Sequence, residues 1–179
     1  IGSSKKPIIS LTQGDRIVRG IVTRMKTVKD ILVFTKNGMG QRFDPNLVRV
    51  TSPTAKGGNG FKLTRDDEIV GCYAINPDEN QYILYMTAKG KTRLNLLDYL
   101  TQRDSKHDAM LNLISLNDRD KLVSVVGCNK LDKVQVFFDD GSDEIISIEH
   151  IPESTMSSDP KKVTSKNAVT TNVVKVKVL

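Results

Sequence analysis

A unit that recurs roughly every 52 residues governs how this chain can fold. The segment Ile31-Leu-Val-Phe-Thr-Lys-Asn-Gly38 returns as Tyr82-Ile-Leu-Tyr-Met-Thr-Ala-Lys-Gly90 and again as Val134-Gln-Val-Phe-Phe-Asp-Asp-Gly141, with the closing glycines 52 and 51 residues apart. A second element keeps the same step: Gly14-Asp-Arg-Ile-Val18, Asp67-Glu-Ile-Val70 and Asp120-Lys-Leu-Val123, its aspartates 52 and 53 apart. Before each lies a short apolar stretch ending in leucine, at Ile8–Leu11, Phe61–Leu63 and Leu111–Leu116. Two elements sharing one period are the signature of a repeat architecture, in which each unit buries its apolar face against its neighbours.

Each unit reads as β-structure. Ile31 to Thr35 is short, apolar and partly β-branched, which suits a buried strand, and Lys36-Asn37-Gly38 supplies a turn where Asn and Gly tolerate positive φ. Val174 to Leu179 alternates apolar residues with lysine, as a half-exposed strand does. Leu94–Leu100 and part of Ser105–Met110 have helix-compatible spacing but are too short to set the class. A period near 50 with about four strands per unit is the spacing of propeller blades. The expected fold is therefore all-β: one domain over 1–179, made of four-stranded blades at about 8–63, 64–116 and 117–179. Three turns are too few for a closed ring, so the set is either incomplete or open. In the open case Val174–Leu179 is expected to take the place that Phe61–Leu63 fills elsewhere, with a long, weakly ordered loop over about 151–172, rich in Ser, Thr, Lys and Pro. The chain opens on Ile1-Gly-Ser-Ser-Lys-Lys without an initiator methionine, as a piece of a longer polypeptide would.

The charge is unevenly spread. Residues 1–65 hold 13 Lys/Arg against 3 Asp/Glu, residues 66–159 hold 9 against 18, and the last 20 residues hold 5 against none. Part of the surface should attract polyanions and part should repel them. Basic residues follow the first two turns: Lys36 and Arg42 in one unit, Lys89, Lys91 and Arg93 in the next. At like positions in successive blades they form a stripe able to follow a phosphate backbone; Lys56, Lys62 and Arg65 extend the set. The third turn is acidic instead, with Asp139, Asp140, Asp143 and Glu144. Taken singly, a Thr-x-x-Gly turn after an apolar strand needs no ligand to explain it.

Phe34-Thr-Lys-Asn-Gly38, the Gly57-Gly-Asn-Gly60 cluster and Leu63-Thr-Arg-Asp-Asp-Glu-Ile-Val-Gly71 resemble the repeat of the C-terminal domain of bacterial type IIA topoisomerase A subunits, in gyrase and topoisomerase IV. The likeness covers about residues 8–150 and returns in the last strand. It implies a β-pinwheel, in which neighbouring blades exchange strands and duplex DNA bends around a basic rim. It also implies a parent enzyme that passes one duplex through another, with ATP and magnesium used on other domains and no cofactor in this one. The implied partners are duplex DNA, the ATPase B subunit, plus the rest of the A subunit, in the cytoplasm at the nucleoid. One gyrase blade carries the box Gln-Arg-Arg-Gly-Gly-Lys-Gly; here the stretch reads Thr54-Ala55-Lys56-Gly57-Gly58-Asn59-Gly60. The loss of three of its polar residues favours topoisomerase IV-like decatenation and relaxation over gyrase-type supercoiling. Read from its residues alone, the stretch is either a phosphate-approaching loop with exposed amides or a flexible hairpin tip beside Ser52 and Pro53.

The residues point to no catalytic or metal site. Tyr73, Tyr82, Tyr85 and Tyr99 read as packing residues, His107 and His150 as isolated surface residues, and Asp66-Asp67-Glu68 as a solvated turn. Cys72 and Cys128 each lack a second ligand at metal spacing and read as buried, reduced thiols. No apolar run approaches the roughly 20 residues that cross a bilayer. A propeller that serves only as a protein-interaction platform, docking through its acidic middle, is the competing reading.

Overall fold

A computed structural model describes residues 6–22, 28–105, 107–117, 119–166 and 171–179. Three β-hairpins dominate it: β1 (Asp30–Thr35) with β2 (Met39–Phe43), β4 (Tyr82–Thr87) with β5 (Lys91–Leu96), and β9 (Lys133–Phe138) with β10 (Asp143–Ser147). Each turns at a glycine in the left-handed region, Gly38, Gly90 or Gly141, at φ 84°, 73° and 83°. These are the repeating glycines of the sequence, and only glycine adopts this conformation without strain.

The strand led by the repeated aspartate joins the preceding hairpin. β3 (Ile69–Ile75) pairs antiparallel with β1, and β8 (Leu122–Cys128) pairs with β4. The last strand, β12 (Val173–Val178), pairs with β9. The register is common to all three, with Thr35 opposite Ile69, Thr87 opposite Leu122 and Phe138 opposite Val173. Val173–Val178 thus occupies the position of β3 and β8. The expected equivalence with Phe61–Leu63 is incorrect, and Phe61–Leu63 itself lies outside any strand. An alternating Val/Lys pattern fixes that a strand forms, whereas its partner is set by packing far away in sequence.

The fourth position comes from one unit further on. β7 (Leu111–Asn112) pairs with β2, beside the short parallel β6 (Gln102–Arg103), and β11 (Lys161–Lys162) pairs with β5. Each of the first two hairpins is therefore flanked on both sides by strands from later in the chain, an exchange that ties the units together. Among the described residues the three sheets do not close into a ring.

The middle sheet is buried on both faces, which explains its unbroken apolar run. Ile83, Tyr85, Leu122 and Val125 pack with Leu32, Phe34 and Ile75 of the first sheet, while Leu84, Met86, Val126 and Cys128 pack with Val134, Val136, Phe138 and Val176 of the third. The outer face of the third sheet is more polar, presenting rows such as Asp143, Phe137, Lys175 and Ile145, Gln135, Lys177. The helix-compatible stretch Leu94–Leu100 splits into the end of β5 and a 3-10 turn at Leu97–Tyr99.

Candidate nucleic-acid interface

The turns that display the basic residues are held by the aspartates of the next unit. Asn37 N–H donates to Asp67 Oδ1 at 3.0 Å, and Lys89 N–H donates to Asp120 Oδ1 at 3.2 Å. The same oxygens accept from their own following amides, Glu68 and Lys121, at 2.9 Å. Asp67 is a structural acceptor as well as a turn residue. On the third hairpin Thr171 stands at the aspartate's position, and the polarity reverses: Asn172, at the place of Glu68 and Lys121, donates from its backbone amide and its side-chain amide to Asp139. Those bonds hold the Asp139 carboxyl below its usual range; bonds from Ser142 do the same for Asp140, with Lys166 adding to the effect. Glu144 accepts from Ser165. The acidic group of the third unit is thus engaged largely within the domain.

The predicted cations divide into two sets. Arg93 is only 1% exposed. Its guanidinium donates to the carbonyls of Leu113, at 2.8 Å, and Ser158. Burial lowers its pKa, with the Tyr85 hydroxyl and the Asp159 carboxylate acting in the opposite direction. Arg42 is largely buried against Asp30 at 2.7 Å and donates to the carbonyls of Leu97 and Leu100. Both are therefore removed from the candidate surface, because their guanidiniums are buried and turned to internal carbonyls and, for Arg42, a carboxylate. Nor do they stand at like positions. The counterpart of Arg93 is Gln41, fully buried and donating to Ser105 O at 2.5 Å, just as Arg93 holds Ser158. Each side chain pins the connection that crosses beneath its sheet.

Lys56, Lys62 and Arg65 are exposed, and Lys36, Lys89 and Lys91 are half-buried on or beside their turns. Lys36 lies 3.8 Å from Glu68. The structure adds two lysines that fall in the expected loop: β11 places Lys162 opposite Lys91 and Lys161 opposite Thr92. The connection to β11 is tied down on the way. Ile151 is buried, Glu153 accepts from the Tyr82 hydroxyl at 2.9 Å, and Thr164 lies buried beneath Gly90. Residues 167–170 of the expected loop lie outside the described residues. A sign of this strand was present in the sequence: Lys161 to Thr164 stands 50 residues after Leu111 to Ile114, which meets the first hairpin in the same way.

The Thr54–Gly60 stretch is largely exposed, and Ala55 O accepts from Ser10 N–H at 3.1 Å. Its glycines wall one side of a cleft of about 520 Å³ on the outer face of the first sheet, opposite Ile31, Val33 and Cys72. Phe61 anchors its end, with its ring 5.5 Å from that of Phe43. Of the thiols, Cys128 is buried and pushed up to about 12, chiefly by desolvation, and Cys72 is raised for the same reason. Tyr73 donates to Gly127 O, Tyr85 is fully buried, Tyr99 is exposed, and both histidines are exposed. No helix among the described residues is long and apolar enough to cross a membrane.

Comparison with known proteins agrees with this architecture. The sequence model of the DNA gyrase C-terminal domain, a β-propeller, matches residues 29–76 and 111–129. The DNA gyrase A protein of Haloquadratum walsbyi is 28% identical over 111 residues, 62% of this chain and 13% of that protein. The solved DNA gyrase A C-terminal domain superposes with a TM-score of 0.82 at 16% identity, over 96% of this chain and 57% of that one. The C-terminal domain of DNA topoisomerase IV gives 0.74 at 17% identity, over 86% and 47%. The chain thus spans about half of the solved domains and a small part of the curated relative. In its strand exchange, its repeat and the matched segments, the chain is similar to the C-terminal β-propeller domain of DNA gyrase A and shares the fold of the gyrase A and topoisomerase IV C-terminal domains.

Proposed function

We propose that this domain binds duplex DNA without sequence preference and bends it for strand passage by a type II topoisomerase. The observation that carries the reading is the pairing of Lys162 with Lys91 across β11 and β5, which gathers Lys91, Lys161 and Lys162 at one sheet edge beside Lys89. Among the described residues none of these four lies within ion-pair distance of a carboxylate, whereas the acidic groups of the third unit are engaged internally. Unpaired cations along an edge bind a phosphate backbone by releasing its counterions, and they carry no base specificity. Lys36, Lys56, Lys62 and Arg65 extend the surface on the first unit.

The Thr54–Gly60 loop offers a single cation, Lys56, and exposed glycine amides, enough for one phosphate contact rather than several. Weak wrapping follows, and with it a topoisomerase IV-like role in decatenation and relaxation rather than gyrase-type supercoiling. The protein partners of this reading are the ATPase B subunit, plus the rest of the A subunit; strand cleavage belongs to the other domains.

Gel shifts on a 40-bp duplex at low salt test it. Wild type is expected to bind, Lys89→Glu/Lys91→Glu/Lys161→Glu/Lys162→Glu to lose most of its affinity, and Lys175→Glu/Lys177→Glu on the third sheet to lose little. An unchanged quadruple variant would end the reading, and failure of wild type to bind would favour a protein-interaction platform. Ligation of nicked circles in the presence of the domain should leave their linking number nearly unchanged; a large shift contradicts weak wrapping.

A further inference from the structure

The chain holds two Asn-Gly pairs, Asn37-Gly38 and Asn59-Gly60, and the fold treats them in opposite ways. In such a pair no side chain shields the glycine nitrogen, which can attack the amide carbon of the asparagine side chain. The attack needs two freedoms. The nitrogen must be released from its own hydrogen bond, and the backbone must have room to turn it toward that carbon.

Gly38 has neither freedom. Its N–H donates to Thr35 O at 3.1 Å, and its carbonyl accepts from Leu113 N–H at 2.8 Å. The amides of Lys36 and Asn37 before it are held by Glu68 O at 2.9 Å and Asp67 Oδ1 at 3.0 Å. The glycine is buried against Ile114, whose carbonyl oxygen lies 2.5 Å from where a Cβ would stand. Gly141 of the related pair Asp140-Gly141 is tied in the same way, to Phe138 O at 3.1 Å. Gly60 has both freedoms. Asn59 and Gly60 are exposed and lie outside any strand or turn, directly after Gly57 and Gly58. Among the described residues no backbone acceptor holds the Gly60 N–H. A Cβ at Gly58 or Gly60 would meet nothing within 4 Å, so the backbone on both sides of Asn59 has room to turn.

We propose that Asn59 is a self-modification site, deamidated by attack of the Gly60 nitrogen, and that the first turn protects Asn37 from the same reaction. The Gly60 nitrogen loses its proton and bonds to Asn59 Cγ; the bond from Cγ to the side-chain nitrogen breaks, and ammonia leaves with the proton. Water then opens the five-membered imide at either carbonyl, leaving aspartate or isoaspartate at position 59. One water is consumed and one ammonia released, with no change of oxidation state. The net charge of +6 falls by one, and the new carboxylate stands three residues from Lys56, the cation of the Thr54–Gly60 loop. Its effect on DNA rests on the reading proposed above: a carboxylate beside Lys56 opposes the phosphate contact of that loop.

The test follows the whole chain at pH 8, folded and in urea, by peptide mass spectrometry for the mass gain of deamidation at each pair. Isoaspartate is read from resistance of the peptide to an aspartate-specific protease. In the folded chain Asn59 is expected to convert within about threefold of its rate in urea, and Asn37 at least about tenfold more slowly than in urea, because its turn must first open. Asp67→Ala should speed conversion of Asn37 and leave Asn59 unchanged, and Gly60→Ala should slow Asn59. Conversion of Asn59 in the fold as slow as that of Asn37, or of Asn37 at its urea rate, overturns the proposal. Gel shifts on the 40-bp duplex test the consequence: Asn59→Asp should weaken binding by about threefold and Asn59→Gln should not. Equal affinity for Asn59→Asp would strike the loop from the DNA surface, a failure of that reading and not of the modification.

Discussion

Asp67 and Asn37 lie thirty residues apart in sequence, yet the Asp67 carboxylate accepts the Asn37 amide at 3.0 Å and so closes the turn of the preceding hairpin. Asp120 repeats the bond at Lys89. The recurring aspartate is thus a clasp between units, which is why it keeps step with the recurring glycine.

Removing a clasp leaves a turn amide without its acceptor. Asp67→Ala and Asp120→Ala should each lower stability by about 1 kcal/mol, the usual cost of losing a side-chain cap. Asp15→Ala, whose carboxylate accepts no turn amide among the described residues, should leave urea unfolding of the isolated chain unchanged.

The turn glycines are unequal. A Cβ on Gly38 meets Ile114 O at 2.5 Å in addition to its positive φ, whereas a Cβ on Gly141 meets nothing within 4 Å. Gly141→Ala should therefore cost about 1 kcal/mol from backbone strain alone, and Gly38→Ala clearly more, as compared by thermal melts.

Arg93 is a structural residue. Arg93→Met strands the carbonyls of Leu113 and Ser158 in the interior and should cost roughly 2–4 kcal/mol. DNA affinity of the folded fraction should stay near wild type, because no Arg93 donor reaches the surface.

Cys128 predicts an alkaline limit. Its thiol goes from about 9 when unfolded to about 12 in the fold, so its contribution is complete below pH 9 and is lost as pH rises toward 12. Burial raises Tyr85 in the same sense. Unfolding midpoints should fall above pH 9, and Cys128→Ala should flatten part of that fall. In the folded chain at pH 8, iodoacetamide should modify Cys72 well before Cys128, as read by mass spectrometry.

The strands around the three turns, the glycine positions and the all-β class were legible in the sequence because they are local: apolar β-branched runs and positive-φ residues say what they form. The identity of the unit was less legible. The sequence groups Asp67–Val70 with the hairpin that follows it, but β3 completes the sheet before it, because pairing is decided by which edge the next unit can bury. Arg42 and Arg93 look alike as cations after a turn. A one-residue difference in register puts Arg42 at the place of Leu94 and Arg93 at the place of Gln41, and both are drawn inside by unpaired carbonyls. Lys161 and Lys162 look like loop residues because nothing local reveals that β5 offers them an edge.

The salt dependence of duplex binding is the sharpest check on the lysine edge as a DNA-binding surface. Neutralising a phosphate contributes about 0.9 to the log–log slope of affinity against salt. If Lys89, Lys91, Lys161 and Lys162 each meet one phosphate, replacing all four by glutamine should make the slope shallower by about 3 to 4. An equal slope for wild type and variant would refute this, because the lysine edge would then carry none of the contact with DNA.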